Sequence, residues 1–132
     1  REPIVWILHA GYAWLPIGLD LKAIFVLAGA SWAAHWQHAL GAGAAATMIM
    51  AVMTRASLGH TGRPLRVSRL IVVAYVLLIA SVVLRVFGAS VLQLQYATTI
   101  TTAGALWILA FLLYSGVYVP ILTRPRADGK PG

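Results

Sequence analysis

The chain has 132 residues, 61% hydrophobic and only 10% charged, which excludes an ordinary water-soluble domain with its roughly 25% charged residues. Ten Lys and Arg stand against three Asp and Glu, for a net charge of +7. In so apolar a chain this reports cytoplasmic loops rather than a nucleic-acid partner. Without any cysteine, disulfides, thiolate metal sites and iron–sulfur clusters are excluded too.

Residues 23–54 and 86–123 carry no charged side chain. Stretches of about 20 apolar residues cross a bilayer. The pattern predicts an all-α integral membrane protein, one transmembrane domain over residues 1–132 with helices at 4–29, 35–57, 68–87 and 93–119. The chain opens on Arg1 rather than Met, as expected of a processed product or a piece of a longer polypeptide. Its first apolar stretch contains Asp20 and Lys22 and lacks a small-residue cleavage pattern, so it does not read as a signal peptide.

In the first helix Pro16 is expected to introduce a kink, which neighbouring helices can accommodate. His9, Tyr12, Pro16 and Asp20 fall on one face by their spacing. A polar stripe at membrane depth is expected to face protein or a wet cavity. Trp6 and Trp32 suit the two membrane interfaces.

A short turn at 30–34 leads to the second helix, which opens on His35 and His38 and continues through glycine, alanine and methionine. Gly59, Gly62 and Pro64 mark a basic loop over 58–67. Ser68 is placed to cap the third helix. An uncharged connection at 88–92 precedes the fourth, which Pro120 is expected to stop, leaving 120–132 as a basic exposed tail.

Arg55, Arg63, Arg66 and Arg69 flank the central loop, and Arg124, Arg126 and Lys130 lie in the tail. The connections at 30–34 and 88–92 have no basic residue. The expected topology is an up-down four-helix bundle with both termini cytoplasmic.

The candidate chemistry lies in four histidines, His9, His35, His38 and His60. Neutral imidazole is the commonest metal ligand and a usual haem ligand. At 1.5 Å per residue, His9 and His38 are separated along the membrane normal by about 15–20 Å. Two axial nitrogens on one iron are only about 4 Å apart, twice a metal–imidazole bond, so these two do not clamp one iron. His9 is instead placed to approach His60 and Arg55 on the cytoplasmic side. His35 and His38, three apart, form either an outer metal-binding pair or, with Trp32 and Trp36, an interfacial belt.

The face of the second helix around His38 carries Gly41, Ala42, Ala45 and Ile49. It suits either the edge of a flat ring such as haem or close packing of helices, for which Gly41 and Ala45 have the spacing. Met48, Met50 and Met53 read more simply as core filler than as copper ligands. Asp20 and Arg85 lie at similar depth and are expected to form a buried ion pair, with a proton relay the lesser alternative. The threonines at 98, 99, 101 and 102 can return their hydroxyls to their own helix. Arg55 beside the GHTGR turn can hold an anion such as a haem propionate or simply anchor the loop. No nucleophile–base set, Walker loop or paired carboxylate occurs, so an enzyme is not expected.

The strings WILHAGYAWLPIGLDLKA (6–23), HALGAGAAATMIMAVMTRASLGHTGRPL (38–65) and AGALWILAFLLYSGVYVPILTRPRADGKPG (103–132) resemble the carboxy-terminal part of the NnrS family. These are multi-span bacterial membrane proteins described as binding haem and copper and linked to the nitric oxide response. The resemblance implies an inner-membrane location, haem or copper as cofactor and a small gaseous ligand. It makes His9, His38 and His60 candidate ligands; His35 matches no motif position. Family members resemble a longer bundle than four spans, which implies a protein partner or further helices completing this one. An accessory subunit packed against a larger membrane complex is the alternative.

Overall fold

The computed structural model describes residues 2–129, and all regular structure among them is helical. Helix α1 is Pro3–Ala28. Proline at the first helical position loses no hydrogen bond, and Gly29, at φ 63°, ends the helix in the left-handed conformation. A 3₁₀ turn at Ser31–Ala33 leads to α2, built from Trp36–His38, a wide π-type segment Ala39–Ala46 and Thr47–His60. Helix α3 is Arg69–Val83, prolonged by a second wide segment, Leu84–Gly88. Helix α4 is Tyr96–Leu122. All four are long and apolar enough to cross a membrane.

The helix ends differ from the expected ones for identifiable reasons. Helix α2 runs past residue 57 through Gly59. It ends where the Thr61 hydroxyl donates to the Ser57 carbonyl at 2.6 Å and Gly62 turns left-handed at φ 68°. Helix α4 passes Pro120 and ends at Leu122. A proline near a C-terminus removes only one backbone donor, and only Ile121 and Leu122 remain to be accommodated after it. Ser68 occupies the N-cap of α3, yet its side chain makes no capping bond. The last connection is longer than expected, and Gln93 adopts a positive φ of 53° in it.

Helices α1 and α2 pack antiparallel and close. A Cβ on Gly11 would lie 2.7 Å from Met48 Cγ, Gly18 rests against Leu40, and a Cβ on Gly43 would lie 2.6 Å from the Trp14 indole. The buried seam of α1 is Ile4, Ile7, Gly11, Trp14, Gly18 and Leu21, alternating three and four residues apart. On α2 the close approach is not made by Gly41 and Ala45, which are exposed, but by Ala39, Gly43, Ala44 and Thr47. The wide turns rotate the buried face away from the α-helical spacing.

The core has two parts. Toward the 61–68 loop, Tyr75, Tyr114 and Tyr118 are buried with Ile7, Met50 and Ile71. Trp6 meets Tyr75 edge-on at 6.0 Å, and Tyr114 and Tyr118 are 4.6 Å apart. Toward the opposite end Trp14, Leu21, Val82 and Val86 form a second cluster, with Trp14 stacked on Phe87 at 6.1 Å. Both hairpins, α1–α2 and α3–α4, contribute to each.

The described tail is exposed at 122–125 and 127–129, and it is also tied down: the Ala127 N–H donates to the Thr61 carbonyl at 3.0 Å, clasping the tail to the central loop. Arg126 donates to Asp128 from Nε at 2.9 Å and Nη2 at 2.7 Å, and these bonds hold its guanidinium above the ordinary arginine value. The Asp128 carboxylate lies against Gly62, where a Cβ would come within 2.5 Å of Cγ. Lys130 lies outside the described residues.

Candidate functional site

The two wide helical segments share one location. His38 immediately precedes Ala39–Ala46, and Arg85 lies within Leu84–Gly88. Wide turns of this type are uncommon and occur frequently at functional sites. Alanine and glycine fill the first, so few side chains resist the altered spacing. Between them, α2, α3 and α4 leave a cavity of about 270 Å³ whose lining includes His38, Ala42, Ser81, Arg85, Gly104 and Trp107. The Ser81 hydroxyl is committed to the Ala103 carbonyl at 2.7 Å, tying α3 to α4 at the wall. His38 and Arg85 thus supply the cavity's titratable groups. Gly104, in the cavity wall, is exposed and has open space where a Cβ would stand.

His35 joins this end. Its ring stacks on that of His38, with centroids 5.9 Å apart and planes at 24°. The Lys22 ammonium lies over the Trp36 ring at 5.0 Å. The expected pairing of His35 with His38 is therefore present as a ring contact.

The other candidates are dispersed. His9 is exposed on α1; its Nδ1 lies 2.8 Å from the Val5 carbonyl, which assigns the proton there and leaves Nε2 as the free nitrogen. It shares one shallow groove with Leu8, Tyr12 and Met48 and another with Glu2, Val5 and Trp6. Arg55 and His60 share a different groove with Gly59 and Leu65. His9 lines neither that groove nor the cavity, so the expected approach of His9 to His60 and Arg55 is not seen. Among the described residues no three His, Cys, Asp or Glu side chains are grouped to hold a metal ion.

Two further expectations change. Asp20 and Arg85 do not pair: Arg85 faces the cavity while Asp20 is exposed on the far side of α1. His9, Tyr12, Pro16 and Asp20 share a face as their spacing requires, but that face points out of the bundle. The threonines behave as expected in part: Thr99 and Thr101 donate to the carbonyls of Gln95 and Ala97, and Thr98 to the Gln95 side chain.

A family model described as NnrS protein matches residues 1–126. The chain belongs to the NnrS family, which is linked to the nitric oxide response. No curated protein and no solved structure matches it. The NnrS match spans every helix described above, so the cavity and the His35–His38 stack lie within the family region, while Ala127 and Asp128 of the clasp lie just beyond it.

Haem and copper fit this NnrS chain unequally. Pockets that bury an organic ligand measure about 300–1,000 Å³, and the His38 cavity, at about 270 Å³, does not enclose a macrocycle. A diatomic molecule fits it easily. Copper accepts imidazole ligands, and His35 and His38 present two within one contact. Sequence reasoning had marked His38 and Arg85 separately but not the cavity that joins them. Arg85, a charge on a membrane helix with no neighbouring acid in its own helix, was the signal available.

Proposed function

We propose that this chain is a multi-pass protein of the bacterial inner membrane that takes part in the nitric oxide response by binding a small ligand at the His35–His38–Arg85 end of its bundle. The observation carrying this reading is the coincidence of both wide helical segments, the stacked histidines and the cavity. The residues fit copper in part: His35 and His38 would hold it, with a further donor from a neighbouring polypeptide or further helices. Bound there, copper would supply a coordination position for nitric oxide. Arg85 contributes a fixed positive charge to the same cavity, and the apolar remainder of the wall limits water. Haem, if carried, requires a second wall that these four helices do not provide.

The antiparallel hairpins and the arginines around residues 61–68 support an up-down bundle with both termini cytoplasmic. The cavity then lies in the outer half of the membrane. Metal analysis and visible spectra of the detergent-purified protein test the reading. Stoichiometric copper that is lost in His38→Ala and His35→Ala but kept in His9→Ala is expected. A metal-free preparation, or copper indifferent to His38, would overturn it.

A second reading has its own support. The outward polar face of α1 is what a subunit packed against a larger membrane complex would show. Purification as a stable, metal-loaded single chain would count against it.

A further inference from the structure

Helix α1 has two seams. The inner one is buried on α2; the outer one runs through Val5, His9, Tyr12, Pro16, Asp20 and Ala23, every one exposed. Tyr12 is 65% exposed. Asp20 lies about 7 Å from the midpoint of this 26-residue helix by its rise, inside a hydrocarbon layer about 30 Å thick. Its short side chain cannot reach the headgroups as a lysine can. Among the described residues it makes no hydrogen bond or ion pair. A carboxylate so placed is expected to meet protein rather than lipid.

The same chain carries a complementary site. Arg85, also without an ion-pair partner among the described residues, lines the cavity with His38, and the exposed Gly104 stands in the same wall with open space before it. The depths agree. Gly18 rests against Leu40, and two residues further along each antiparallel helix brings Asp20 level with His38. Among the described residues one carboxylate on the outer face of α1 and one guanidinium in the cavity wall thus lie without ion-pair partners at similar depth.

We propose that a second copy of this chain seals the cavity, its α1 laid into the cleft between α2 and α4 with Asp20 facing Arg85 and His38. Rotation about the membrane normal keeps every residue at its depth, so this head-to-tail contact repeats from copy to copy, and it closes as a ring when the rotation divides the full turn. A symmetric α1–α1 pair would instead set Asp20 against Asp20, with like charges opposed. The neighbour supplies the wall that the cavity lacks and a carboxylate at its mouth. The contact stands on charge and depth and holds whatever His38 binds.

The absence of cysteine allows a clean test. Two tagged versions, one with Leu19→Cys and one with Gly104→Cys, are co-expressed and treated in native membranes with a short bis-maleimide. A mixed cross-link between the two versions is expected, with little product from either alone. Asp20→Arg should reduce it at least about tenfold, and adding Arg85→Asp should restore it, as expected for paired charges. The single-cysteine versions leave both charges intact, so a folding failure of the charge variants does not remove the test. Cross-linking of Leu19→Cys to itself, to a different protein or to nothing would each overturn the proposal. The readout uses no metal, so its failure leaves the copper reading standing, and loss of the copper reading leaves this one.

Discussion

The two ends of the bundle are built differently. At the loop end, tyrosines fill the core, the loop carbonyl of Thr61 has a partner in Ala127, and Arg126 and Asp128 are paired. At the other end the helices widen, a cavity remains, and Arg85 and Asp20 stand apart from each other. The distinctive GHTGR and RPRADG strings belong to the well-tied end. In them, distinctive sequence marks architecture: a left-handed glycine, a carboxylate against it and a strand of tail. The proposed ligand site falls where the sequence is plainest, among alanines and glycines that let a helix change its pitch.

The largest effect that would test this contrast is in the tyrosine core. Tyr75→Ala should cost on the order of 3–5 kcal/mol, as other large buried aromatic truncations do. Trp107→Ala, at the half-buried cavity edge, should cost well under half of that. Thermal unfolding in detergent followed by circular dichroism gives both. Equal losses would erase the distinction between a filled end and an open one.

Of intermediate size is Gly62→Ala. The residue would need a left-handed conformation costing about 1–2 kcal/mol, and its Cβ would press on Asp128. A drop in melting temperature is expected together with faster trypsin cleavage after Arg66, since Pro64 protects the bond after Arg63. A neutral outcome would mean that the clasp shifts freely.

The smallest effect is expected from Asp128→Ala. Surface ion pairs contribute little to stability, so the melting curve should be unchanged. The loop should nonetheless become more protease-sensitive, because the carboxylate that covers Gly62 is gone. Unchanged proteolysis would show that the Ala127–Thr61 bond alone closes the clasp.

Four helical spans were legible because uncharged runs and Gly/Pro punctuation are local signals. The His35–His38 contact was legible for the same reason, being one turn of one helix. Three features were not. The π-type segments shift the buried face from Gly41 and Ala45 to Ala39, Gly43 and Ala44, and alanine and glycine composition does not encode that shift. The Asp20–Arg85 pair failed because opposite charge and similar depth do not say which way a helix is rotated. Here the α1 seam with Gly11 and Gly18 decides the rotation and turns Asp20 outward. The tail clasp joins residues 61 and 127, a separation over which neither segment's own pattern carries information.

The clasp also sets an order of assembly. Synthesis proceeds from the amino terminus, so α1 and α2 are available to insert as a hairpin while Ala127 has yet to be made. The Thr61 carbonyl lacks its Ala127 partner until that residue emerges. Closure of the clasp is therefore a late event that reports that α4 has reached its place. A chain truncated before residue 127 and released from the ribosome should leave an otherwise inserted bundle with its loop still open to protease.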